Sequence, residues 1–196
     1  MSDVDIPRLL DEIPLLYKAR AFADGIEGLP LMARLGESLD ARETGLSRDY
    51  LDGLGFPHAE PALLSSWDEA ADAAEVQDQD PEGWEAEEML RAGLISRASD
   101  RLDDEAIQAL MTYVAMQAGE VAQEAVRYAA GFEDNEDEAL ANAAAGMIVR
   151  AADGMALVIL AEAEDDEPAH PFLLRWRLFA RGRWPLGLAG STFNLL

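Results

Sequence analysis

Few residues in this chain are suited to chemistry. His58 and His170 are the only histidines among 196 residues, and cysteine is absent. Without thiols, disulfide frameworks, zinc knuckles, thiol catalysis and iron–sulfur ligation are excluded together. Glu167 and His170 have the Glu-x-x-His spacing with which carboxylate-bridged metal bundles present ligands from an inward helix face. Pro168 and Pro171 interrupt any such face, so the pair is expected in a loop and no metal is expected there. A serine triad lacks its Gly-x-Ser-x-Gly elbow, and neither Gly-x-Gly-x-x-Gly nor a Walker loop is present to cradle a phosphate. No cofactor is expected.

Carboxylates are the remaining chemical resource. Glu120 and Glu124 stand one turn apart on a helix read over 101–130, and Asp153 lies on the helix that follows. Over these two helices the chain resembles the all-α nucleoside triphosphate pyrophosphohydrolases of the MazG type. That resemblance implies carboxylates on paired helices holding magnesium against a triphosphate, with Glu120, Glu124 and Asp153 in that role. Those enzymes turn a Glu-x-x-Glu inward, whereas this chain reads Glu120-Val121-Ala122-Gln123-Glu124. Counted at 100° per residue from Ile107, the two glutamates fall at about 220° and 260°, away from the apolar stripe. A solvated face with Arg127 as an ionic partner is therefore expected, and a magnesium-dependent nucleotide pyrophosphohydrolase is the alternative activity. Asp153 sits where its helix becomes apolar on every side, so it must be paired, protonated or beside water. Arg150, one turn back, or an arginine of the tail is its expected partner.

Two acidic clusters are read as partner-binding surface. Asp78, Asp80, Glu82, Glu85, Glu87 and Glu88 form the first, and Glu133, Asp134, Glu136, Asp137 and Glu138 the second. From Asp134 onward the run lacks the glycine and the glutamate that a calcium loop needs at its sixth and twelfth positions.

Helices must position these groups. Ile6, Leu9, Leu10, Ile13, Leu16, Tyr17 and Phe22 follow one helical face that Pro14 kinks or divides, and Gly25 and Gly28 end it. Pro30 is read as opening a second helix to about Glu43, and Ser47 as capping a short turn through Leu54. Pro61 is read as opening a helix with Leu63, Leu64, Trp67 and Ala71 inward; 75–82 is then a loop, followed by a helix from Trp84 to Arg97. The strongest signals are a long stripe through Ile107, Leu110, Val114, Ala118 and Ala122, and the all-apolar run Met155 to Leu160. They predict a mainly α, single-domain helical bundle whose central antiparallel pair spans about 101–130 and 137–163. In the tail, Pro171 to Arg181 is read as a helix and Leu186 to Leu196 as a short strand or extended arm. This basic, aromatic segment, 168–196, is expected to pack on the body and bury Trp176, Phe179, Trp184 and Phe193.

Charge supplies the functional reading. The chain has 39 acidic and 15 basic residues, a net charge of -24, with 49% hydrophobic residues. That hydrophobic content separates it from disordered acidic chains. Residues 1–167 carry all 39 acids and 11 bases, a net of -28, and residues 168–196 add only Arg175, Arg177, Arg181 and Arg183. Halophilic adaptation would spread acid evenly. So negative a field repels nucleic acid and attracts a basic protein. A start without a charged, apolar leader and the lack of 18 consecutive apolar residues lead to the expectation of a cytoplasmic protein without membrane contact. The expected function is that of an acidic, non-catalytic binding protein: an immunity protein or inhibitor that neutralises a basic, nuclease-type bacterial toxin by direct contact. A structural or regulatory helical protein is a further alternative.

Overall fold

A computed structural model describes residues 13–77, 81–131, 138–164 and 169–196. Among them lie seven α-helices and a three-stranded sheet. The helices are α1 (Pro14–Asp24), α2 (Ala41–Leu54), α3 (Trp67–Gln77), α4 (Glu82–Ser99), α5 (Asp104–Ala130), α6 (Glu138–Leu160) and α7 (Pro171–Phe179). The strands are β1 (Glu60–Leu63), β2 (Pro185–Ala189) and β3 (Thr192–Leu195). The fold is mainly α with a short β tail, as the periodicity predicts.

The long helices α5 and α6 form the central pair. Asp103 caps α5 by accepting the Ala106 N–H at 2.7 Å, and Gly131 closes it in a left-handed conformation. Ile107, Leu110, Val114, Ala118, Ala122 and Val126 are buried along α5, and the run Met155 to Leu160 of α6 is buried on every side. By length and composition α6 could cross a membrane, yet 61% of its most apolar 18-residue window is buried within the protein. Pro14 occupies the first turn of α1 and starts that helix instead of kinking it; Ile6, Leu9 and Leu10 lie outside the described residues. Helix α1 packs across both α5 and α6.

The C-terminal segment completes the core. Helix α7 packs against α2 and α6, and glycines permit both approaches. A Cβ on Gly53 would lie 2.7 Å from the Pro171 ring, and one on Gly154 would lie 3.0 Å from the Phe172 ring. Beyond α7, β2 and β3 form a hairpin through Gly190-Ser191, and β3 also pairs in parallel with β1 to give the order β1-β3-β2. Trp176, Phe179, Trp184 and Phe193 are all buried. Three of these meet an aromatic ring of the body: Trp176 meets Phe22 and Trp184 meets Trp67, both at 5.1 Å between centroids, and Phe193 meets Tyr50 at 5.0 Å.

Three sequence expectations are corrected. No helix runs from Pro30 to Glu43; 31–36 are turns, with Met32 at φ +59°. The guanidinium of Arg183 explains this, because it donates to the carbonyls of Arg34, Glu37 and Ser38, acceptors that a helix would use internally. The helix starts later, at Ala41, through a capping box. Asp40 Oδ1 accepts the Glu43 N–H at 2.8 Å, and Glu43 Oε2 accepts the Asp40 N–H at 3.0 Å. Ser47 is mid-helix, its hydroxyl bonded to the Glu43 carbonyl. Likewise Pro61 lies in β1, not at a helix start. A proline is tolerated there because β1 pairs on one side only, with β3. Helix α3 starts at Trp67, where the Ser66 hydroxyl accepts the Glu69 N–H at 3.2 Å.

Candidate functional site

The tail contributes arginines as well as aromatics, and two of them are buried. Arg175 is 5% exposed and meets Glu87 of α4, which is 6% exposed. One oxygen of Glu87 accepts from Arg175 Nη1 and from the Tyr50 hydroxyl of α2, while the other faces Arg150 Nε of α6 at 3.4 Å. Four helices thus converge on one carboxylate. Burial pushes Glu87 up, but Arg175, the Tyr50 hydroxyl and Arg150 outweigh it and hold the carboxyl below its ordinary range. Burial, and then the charge of Glu87, raise the Tyr50 hydroxyl well above its ordinary range.

A cleft of about 310 Å³ opens above this cluster, between α2, α3, α4, α6, α7 and β2. Tyr50, Glu87, Arg150 and Arg175 supply its polar lining, and Leu54, Trp84, Met147 and Leu188 its apolar walls. The Arg150 guanidinium lies 5.8 Å from the centre of the Trp84 ring, itself 56% exposed. Here a concave surface and converging polar groups coincide.

Glu87 was expected on an exposed binding surface, and the structure corrects this: its charge is neutralised inside. Glu88 is half-exposed and bonds Arg150 Nη2 at 2.6 Å. Glu82, Glu85 and Glu138 are exposed. Asp78, Asp80, Glu133, Asp134, Glu136 and Asp137 lie outside the described residues, as does Glu167. His170 caps α7, its Nδ1 accepting the Phe172 N–H at 3.2 Å. Glu120 and Glu124 are exposed on α5, and among the described residues no three His, Asp or Glu side chains stand where they could hold a metal ion. The arginines of the tail differ in burial. Arg181 is partly exposed and pairs with Asp40, whereas Arg175 and Arg183 are buried.

Asp153 also departs from expectation. Arg150 directs its hydrogen bonds to Glu87 and Glu88, and the buried Oδ1 of Asp153 has no hydrogen-bond partner among the described residues. Desolvation raises the Asp153 carboxyl to about 6, against the opposing pull of Arg91 and Arg150. A carboxyl raised in the folded state opposes folding once ionised. That cost is absent below the unfolded value, grows as pH rises from there, and is complete above the folded one. Asp153→Asn should therefore stabilise the protein at pH 7, by about 1–2 kcal/mol after allowance for solvent screening of a half-buried group. The gain should shrink below pH 6 and vanish near pH 4. Urea unfolding of both proteins at pH 7.5 and pH 4 checks this; a pH-independent difference contradicts it.

Compared with protein-family models, curated proteins and solved structures, the chain matches none.

Proposed function

We propose that this protein is an acidic, non-catalytic binding protein that neutralises a basic, nuclease-type toxin by direct protein–protein contact in the cytoplasm. The distribution of charge supports the reading. Among the described residues the buried charged side chains are Glu43, Glu87, Arg175 and Arg183, which cancel one another. The net charge of -24 therefore belongs to the remaining residues. Between Arg48 and Arg91 the chain has no lysine or arginine, while acids recur throughout. Asp68, Glu69, Asp72 and Glu75 are exposed along α3, followed by Glu82 and Glu85 on α4. A field of one sign steers an oppositely charged partner and raises association rates by roughly 10-fold to 1000-fold at low salt.

Affinity purification from the native cell lysate at about 50 mM salt, where the Debye length is about 14 Å, should recover a basic protein whose nuclease activity falls on adding this protein. The on-rate should drop at least ~10-fold between about 50 mM and 500 mM salt. Changing Asp72 and Glu75, which lie beyond the first turn of α3, to lysine together should slow association while leaving helix content unchanged. Recovery of no basic protein, or of one whose activity is unaffected, contradicts the reading. Magnesium-dependent hydrolysis of a nucleoside triphosphate that disappears in Glu124→Gln would instead establish the pyrophosphohydrolase alternative.

A further inference from the structure

We propose that the cleft between α2, α3, α4, α6, α7 and β2 is the anchor pocket of the partner interface: it takes one aromatic side chain of the basic partner, while lysines or arginines flanking that side chain meet the acids of the rim. This rests on the reading of a basic partner and adds the place and chemistry of its contact. The cluster beneath the cleft offers no net charge. Glu87 accepts from the Tyr50 hydroxyl, Arg175 and Arg150, and Arg150 also bonds Glu88, so two glutamates and two arginines cancel. An ammonium or guanidinium entering here would shed its water and find both carboxylates already held by arginines, which is costly. Leu54, Trp84, Met147 and Leu188 wall the cleft with apolar surface. An apolar group leaving water for these walls gains instead.

Trp84 selects an aromatic occupant. It lines the cleft yet is 56% exposed, and the Arg150 guanidinium 5.8 Å from its ring centre holds the indole in place. An exposed flat ring of this kind supports offset or edge-on stacking of a second ring. The volume of about 310 Å³ stands at the lower end of ligand clefts, roughly 300–1,000 Å³, and suits a single large side chain. Around this apolar centre the rim is acidic. Glu75 follows the lining residue Ala74 on α3, and Glu82 and Glu85 flank the lining pair Gly83 and Trp84 on α4. All three acids are exposed, and neither α3 nor the segment 82–90 carries a lysine or arginine. An apolar pocket ringed by charge is the arrangement in which a few central residues carry most of the binding energy. The rim then chooses a basic flank over an acidic one.

The probes are three peptides: Gly-Lys-Lys-Trp-Lys-Lys-Gly, the same peptide with glycine in place of tryptophan, and Gly-Glu-Glu-Trp-Glu-Glu-Gly. Each is titrated into the isotope-labelled full chain at about 150 mM salt and followed by NMR. The basic tryptophan peptide should bind at least ~10-fold more tightly than either of the others. Its largest shift changes should fall on the Trp84 indole N–H and the Gly83 and Leu188 amides. Trp84→Ala should cut the advantage over the glycine peptide to less than about 2-fold and leave the glycine peptide's own affinity unchanged, with circular dichroism checking the fold. Glu75→Lys, in the last turn of α3, should weaken the basic tryptophan peptide about 3-fold. Should Trp84→Ala disturb the fold, the shifts in the unaltered chain decide the matter. The proposal is overturned if the basic tryptophan peptide does not bind below about 1 mM, if the glycine or the acidic peptide binds as well, if the largest shifts lie outside the cleft, or if a folded Trp84→Ala keeps the preference. Such a failure leaves toxin capture by charge alone standing, whereas Trp84-dependent peptide binding with no toxin recovered from the lysate overturns the toxin reading and not the pocket.

Discussion

Removing residues 184–196 is expected to abolish cooperative folding. The deletion takes away β2 and β3, strips β1 of its partner strand, and removes Trp184, Leu186, Leu188, Phe193, Leu195 and Leu196, each at most 5% exposed. A buried aromatic covers roughly 150–250 Å², worth up to about 4–6 kcal/mol at ~25 cal/mol per Å². Two such rings alone rival the whole stability of a typical domain, roughly 5–15 kcal/mol. Their former neighbours Trp67 and Tyr50 would face water or a void. The truncated chain should aggregate or melt without a sigmoidal transition. A soluble monomer that melts at the full-length temperature would mean that the hairpin is dispensable.

Arg183→Met is expected to cost about 3–5 kcal/mol, the scale of breaking a buried ion pair from one side. Arg183 and Glu43 are both fully buried, with Nη2 to Oε2 at 2.9 Å. The same guanidinium satisfies the carbonyls of Arg34 at 2.6 Å and Ser38 at 2.8 Å, and also that of Glu37. Its loss leaves Glu43 only the partly exposed Arg34 and Arg181 as cationic partners and orphans backbone acceptors in a segment with no helical bonds to fall back on. Arg181→Ala, which removes a partly exposed pair, should cost less than about 1 kcal/mol. Denaturant unfolding separates the two. The double variant Arg183→Met/Glu43→Met should recover part of the loss, because the stranded carboxylate goes with its partner. Equal effects of Arg183→Met and Arg181→Ala would show that burial of the pair contributes nothing.

Periodicity made the central pair legible. A stripe such as Ile107, Leu110, Val114, Ala118 and Ala122 leaves one face apolar, and the run Met155 to Leu160 leaves none polar, so each helix had only one way to be buried. The aromatic tail was legible too, since Trp176, Phe179, Trp184 and Phe193 have nowhere to go but inward. The capping box at Asp40 and Glu43 was present in the residues as Asp-x-x-Glu, a local signal of a helix start. The apolar spacing of Leu31, Met32, Leu35 and Leu39 masked it.

Long-range pairing settled the remainder. Whether 31–39 coils or turns depends on a guanidinium more than 140 residues away, which offers those carbonyls an alternative to the helix. Pro61 becomes strand because Thr192–Leu195 arrives beside it as a partner. Glu87 looks like any other member of an acidic run until Tyr50, Arg150 and Arg175 converge on it from three other helices. The identity of a charged residue records that it needs water or a counter-charge. Which of the two it receives depends on the elements packed around it, because attraction between charges acts through space and is blind to their order along the chain.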